Sequence, residues 1–179
     1  MTIFDKLLII LSLVRRESKY RVSSIVILSN SRVFTNRLKD LMQTEKISKR
    51  ALSSRTGLER KSILNWLNGK FYPRYDALLK LSNFFCVSAD YLLGRIDDNS
   101  KMVNTYELSS EKIHRSFINK LDEYIKKEKL SKYMIAKKLN VGQSTLSRWF
   151  ESDSMPETAI LIRIADLMEE SVDYLMGRE

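Results

Sequence analysis

The chain holds one cysteine, Cys86, and one histidine, His114. Any chemistry that needs a thiolate, an imidazole base or a soft metal ligand has to run through these two side chains. One thiol cannot close a disulfide within the chain, which points to a reducing compartment and a cytoplasmic location. No Cys or His pair has the spacing of a zinc site, and the five glycines form no phosphate-cradling loop. Cys86 lies in the apolar run LSNFFCV and reads as buried filler. His114 adjoins Arg115 in a polar stretch and reads as a solvated side chain. Serines are plentiful, but there is no second histidine around which a triad could be built. No catalytic residue, metal or cofactor is therefore expected, and the chain is not expected to be an enzyme.

Charge points to binding instead. The formal net charge is +9 and the isoelectric point about 9.6, which calls for an anionic partner. Nucleic acid comes first and a membrane surface second. With only two prolines and five glycines in 179 residues, little in the sequence interrupts helices.

The elements that would position a binding surface come in duplicate. DYLLGR runs from Asp90 to Arg95 and DYLMGR from Asp173 to Arg178, 83 positions apart. At that shift Phe34–Arg95 aligns without a gap to Phe117–Arg178, with about 16 of 62 positions identical. Phe34/Phe117, Leu38/Leu121, Ser48/Ser131, Trp66/Trp149, Pro73/Pro156 and Leu78/Leu161 are among the identities. Two copies do not make a solenoid, which needs at least three. They make one small domain, present twice. Apolar spacing gives each copy five helical segments. In the first copy they cover Val33–Thr44, a short helix capped by Ser48 and broken by Gly57, and Glu59–Asn68 ended by Gly69. A helix opened by Pro73 and the short DYLL helix capped by Ser88 complete it. Ser131, Asn140, Pro156, Ser171 and Gly177 mark the same points in the second copy.

KRALSSRTGLERKSILNW, Lys49 to Trp66, joins two short helices through a tight turn at Gly57. Ser53 is small where the helices must approach, and Leu52, Leu58, Ile63 and Trp66 form a shared apolar seam. KYMIAKKLNVGQSTLSRW repeats the pattern with Ala136 and Asn140. This is helix-turn-helix spacing, in which the second helix enters the DNA major groove. The chain here resembles the Cro/CI-type, lambda-repressor-like helix-turn-helix family over both repeats. That implies an all-α fold of two repeated five-helix lambda-repressor-like helix-turn-helix domains. Where many relatives carry a Glu after the reading helix, this chain has Leu67 and Phe150, and Gly69 corresponds to Ser152.

The resemblance places the first turn of the third helix, and one residue a turn later, against base edges. These are Arg60, Lys61, Ser62 and Asn65 in repeat one, and Gln143, Ser144, Thr145 and Arg148 in repeat two. Because the sets differ, a site read by both copies should have two unlike halves. Phosphate contacts should come from Ser48, Lys49, Ser131 and Lys132 at the start of the second helix, and from Lys70 and Arg74 after the third. Repeat two has Asp153 and Glu157 where repeat one has Lys70 and Arg74. From Val33 to Arg95 there are 12 basic and 5 acidic residues; from Arg115 to Glu179 there are 11 of each. Phosphate neutralisation drives non-specific affinity, so repeat one is expected to be the main reader.

The domains expected are 33–95 and 115–179, joined by a polar linker at 96–114. The stretch SSEK, from Ser109 to Lys112, is a candidate start for the first helix of repeat two. Residues 1–32 form an extension without a counterpart. Its run LLIILSLV reaches about 12 Å as a helix against about 30 Å of bilayer hydrocarbon, so no membrane span is expected. A dimerisation strand pair or helix, a weak membrane-surface contact, a leader with no folded role and an upstream extension before a later true start stay open for it. The leading expectation is a regulator, acting as a repressor, that binds double-stranded DNA by sequence, alone or as a homodimer. The rival is a protein-interaction module, such as an antitoxin or immunity partner, with DNA contact secondary.

Overall fold

In the computed structural model, residues 27–97 and 109–178 are described. They form ten helices and, among themselves, no strand. The first five are α1 (Ile27–Thr44), α2 (Lys49–Thr56), α3 (Arg60–Leu67), α4 (Tyr75–Phe85) and α5 (Ala89–Leu92). The second five are α6 (Ser110–Lys127), α7 (Lys132–Lys138), α8 (Gln143–Glu151), α9 (Thr158–Met168) and α10 (Val172–Leu175). The helix α1 reaches back past Val33 to Ile27, and α6 begins inside the 96–114 segment. Ser109 caps α6, its hydroxyl accepting from the Lys112 amide. The same shift of 83 that aligns the motifs brings α1 onto α6 along its whole length. The expectations for residues 1–26, and for the linker over residues 98–108, fall outside the described residues.

Each repeat closes over its own core. Phe34, Leu38, Leu52, Ile63, Leu78 and Leu81 are buried in the first, and Phe117, Leu121, Ile135, Leu146, Leu161 and Ile164 at the matching points of the second. Each such side chain contributes about 1.5–3 kcal/mol on burial, so these seams hold the helices at fixed angles. The expected caps form: the Ser48, Ser88, Ser131 and Ser171 hydroxyls each accept from an amide of the first turn. Pro73 does not open α4, which starts at Tyr75 behind Arg74. Arg74 is the N-cap, its backbone extended with ψ 163°, so the chain turns helical only two residues after the proline.

The repeated hexapeptide closes the fifth helix of each repeat onto the first. Leu92 and Leu175 are fully buried. Tyr91 and Tyr174 each lie under a cation from the first helix of their repeat, Arg37 at 4.4 Å and Lys120 at 3.7 Å from the ring centre. Gly94 has φ +77°, and a Cβ there would stand 2.6 Å from Val33 Cγ1, so only glycine lets α5 close on α1. The aspartates and arginines have a role that no local pattern announces: they join the two repeats.

Asp173 reaches across to the amino end of α5 and accepts from the Ala89 and Asp90 amides at 2.7 and 3.4 Å. Asp90 accepts in return from the Val172 and Asp173 amides at the start of α10, at 2.9 and 3.3 Å. First-turn amides have no partner within their own helix; here the other repeat supplies it. Each aspartate is also paired with the arginine five residues on, Arg95 with Asp90 and Arg178 with Asp173. Arg95 extends to Asp166 at 2.8 Å and to the Glu170 carbonyl. Arg178 reaches Asn83, the counterpart of Asp166, at 2.9 Å. Asp90, Arg95, Asp173 and Arg178 of this clasp are all buried, and Asp166 is half-buried.

Candidate nucleic-acid interface

The helices expected to read DNA, α3 and α8, are fixed by their inward faces. Ile63 and Trp66 of α3, and Leu146 and Trp149 of α8, are buried. The carboxyl end of each is tied to the first helix of its repeat, through different residues. The Thr35 hydroxyl donates to the Trp66 carbonyl at 2.7 Å, while His114 Nε2 lies 2.9 Å from the Trp149 carbonyl. His114 is therefore no solvated side chain. One helical turn before the site of Thr35, it acts as an anchor, and its Nδ1 lies 3.8 Å from Asp153.

Cys86 also departs from expectation. It is exposed. The helix α4 ends there with φ 52°, and this left-handed turn carries the thiol away from the core that Phe85 and Val87 enter.

With the inward face committed, the expected base-reading residues lie outward. Arg60, Lys61, Gln143, Ser144 and Arg148 are exposed, and Ser62, Asn65 and Thr145 half-buried. At 3.6 residues per turn, Arg60, Lys61 and Leu64 share one face of α3. Leu64 is 43% exposed and is not among the residues expected from the sequence. Its spacing from Arg60, one turn along and off the Ile63–Trp66 seam, is the signal that marks it. Ser147 holds the matching position in repeat two.

The flanks follow. Ser48 and Ser131 cap α2 and α7; with the hydroxyl oxygen accepting an amide, its hydrogen is left to donate outward. Lys49 and Lys132 are exposed in the same first turns. Lys132 Nζ is held 4.3 Å from the centre of the Phe150 ring, a tether that Leu67 cannot offer Lys49. After α3, the Gly69 and Lys70 amides bond back to the Trp66 and Asn65 carbonyls. This places exposed Lys70 close against the end of α3, with exposed Arg74 beyond it. In repeat two the same places hold exposed Asp153 and Glu157. The two post-helix loops meet: Phe71–Tyr75 and Met155–Ala159 line one groove of about 590 Å³, crossed where Thr158 Oγ1 donates to the Pro73 carbonyl.

Repeat two also exposes Tyr133 (58%) and Met134 (45%) on α7, where repeat one has Arg50 and Ala51. Among the described residues no group of acidic, cysteine or histidine side chains could hold a metal ion, and no helix is long and apolar enough to cross a membrane.

Two family models match the chain in tandem, a helix-turn-helix domain over residues 35–97 and a helix-turn-helix model over residues 121–175. Together they span about two thirds of the 179 residues. No curated protein and no solved structure matches the chain.

Proposed function

The chain is a tandem Cro/CI-type helix-turn-helix protein, and we propose that it is a transcriptional regulator that binds double-stranded DNA by sequence and represses by occupying its site. Repeat one is the principal reader. The observation that carries this is the outward face of α3, where Arg60, Lys61 and Leu64 are exposed between flanking Lys49, Lys70 and Arg74. Arg suits guanine O6/N7, Asn suits adenine N6/N7, and an exposed leucine suits a thymine methyl. Asn65 and Leu64 together therefore favour an A·T-containing half-site beside a guanine. Repeat two, with Gln143, Ser144, Thr145 and Arg148, reads a different half-site and more weakly, because Asp153 and Glu157 oppose the phosphates.

Selection of bound duplexes from a random pool tests this. Two unlike half-sites are expected, and Arg60→Ala with Lys61→Ala should weaken the selected site by about 1–3 kcal/mol for each base contact. Recovery of no enriched sequence would end the reading.

Tyr133 and Met134 favour a second reading for repeat two, as a protein-contact module of the antitoxin or immunity-partner kind. A stoichiometric protein that co-purifies with the chain and is lost from Tyr133→Ala/Met134→Ala, while DNA selection is unchanged, would support it.

A further inference from the structure

The contacts between the repeats are reciprocal. Asp173 caps α5 and Asp90 caps α10; Arg95 reaches residue 166 and Arg178 reaches residue 83. Each pair is the other displaced by 83 positions. That is the signature of a two-fold, isologous interface, in which the same patch on each partner meets its own copy. An isologous interface closes at two. Here both copies belong to one chain, so the face that would pair two such domains is already filled. The groove between Phe71–Tyr75 and Met155–Ala159 adds the direction. The loops that follow both reading helices converge on it, so the carboxyl ends of α3 and α8 lie toward the same side of the pair.

We infer that the chain engages DNA as a single-chain dimer, with the distance between its two half-sites set by the α5–α10 clasp and not by the segment joining the repeats. This rests on the DNA-reading function proposed above. A flexible tether would tolerate many spacings, with an optimum that follows its length. A clasp holds one spacing, because half-site separation mirrors the rigid placement of the reading helices. The unlike reading faces make the preferred site asymmetric, so one orientation of the chain is selected as well.

The full chain would be titrated on its selected bipartite site with the spacer changed by one to five base pairs. A companion variant would carry about ten Gly/Ser residues inserted between Lys101 and Met102. Affinity should peak at one spacing and fall at least about tenfold two base pairs away, and the insertion should leave that optimum in place. Sedimentation should find one chain per bipartite site. An optimum that broadens or moves with the insertion overturns the inference, as do two chains on one site, each using a single repeat. A failure of DNA reading itself is told apart by amide exchange without DNA. There the Ala89 and Val172 amides should exchange slowly in both proteins, and fast exchange at both sinks the clasp directly.

Discussion

In repeat one the outward positions of α3 carry Arg60, Lys61 and Leu64; the same positions of α8 in repeat two hold Gln143, Ser144 and Ser147. The loops beyond them oppose Lys70 and Arg74 to Asp153 and Glu157. Inside, the two copies barely differ: Phe34 and Phe117, Leu38 and Leu121, Trp66 and Trp149, and Leu78 and Leu161 are identical and buried. The clasp belongs with the interior, since Asp90/Asp173 and Arg95/Arg178 are identical, buried and paired with each other's repeat. Packing fixes side-chain volume, and a buried ion pair fixes charge, whereas a solvent-facing position is constrained only by what it touches outside. The difference between the repeats therefore maps what each is free to bind.

The interior half of this comparison breaks most sharply at Arg95. Its guanidinium balances Asp90 and Asp166 together, while Arg178 balances Asp173 and meets only the neutral amide of Asn83. Truncating one partner of a buried pair costs about 3–5 kcal/mol, because the other charge is left behind. Arg95→Ala should thus lower the urea midpoint at pH 7 further than Arg178→Ala. Equal decreases would mean that Asp166 gains nothing from the arginine.

On the outward half, exchanging charge in the loops sharpens the comparison. Lys70→Asp with Arg74→Glu should weaken DNA binding and reduce the salt dependence by about one unit of slope for each phosphate no longer neutralised. Asp153→Lys with Glu157→Arg should move both quantities the other way. If the second pair changes nothing, the loop of repeat two does not approach DNA, and its share of the reading falls to α8 alone.

Much of the scaffold is legible in the sequence because periodicity and caps are local signals. Ser48, Gly57, Ser131 and Asn140 stand where their backbone roles demand, and the seam through Ile63 and Trp66 tells which face of α3 turns inward. The clasp is not legible. Asp90 and Asp173 follow Ser-x at the start of a short helix, where an acidic residue already suits the helix dipole, so nothing marks them as caps for another helix 83 positions away. His114 and Cys86 escape for the same reason. Neighbouring residues describe a local environment, whereas the Trp149 carbonyl and the left-handed end of α4 are features of the folded chain.

The clasp also predicts a pH dependence centred on repeat two. Burial, followed by the nearby Asp90 charge, raises the Asp173 carboxyl from 3.8 to about 7, against the pull of Arg178 and the two amides it accepts from. The folded chain then holds this proton more tightly than the unfolded one. The stability contributed by this group is complete below about pH 4 and is lost as pH rises to about 7. Denaturation midpoints of Asp173→Asn should lack that part of the slope between about pH 4 and about pH 7. Parallel slopes in the two proteins would place the titration elsewhere.

The smallest difference lies in the helix-helix turns, where Gly57 has φ +67° and its counterpart Asn140 φ +49°. A Cβ at Gly57 would meet nothing within 4 Å, so a substitution there bears only the backbone cost of the left-handed region. Gly57→Ala should destabilise by about 1–2 kcal/mol. Gly57→Asn should cost clearly less, since asparagine visits that region more readily than most residues, and repeat two already uses it. Both variants should leave the selected DNA sequence unchanged, because the turn lies outside the exposed face of α3. A changed sequence preference in Gly57→Asn would instead mean that the turn sets the angle at which α3 meets the groove, and the two turns would then belong among the features that distinguish how the repeats read.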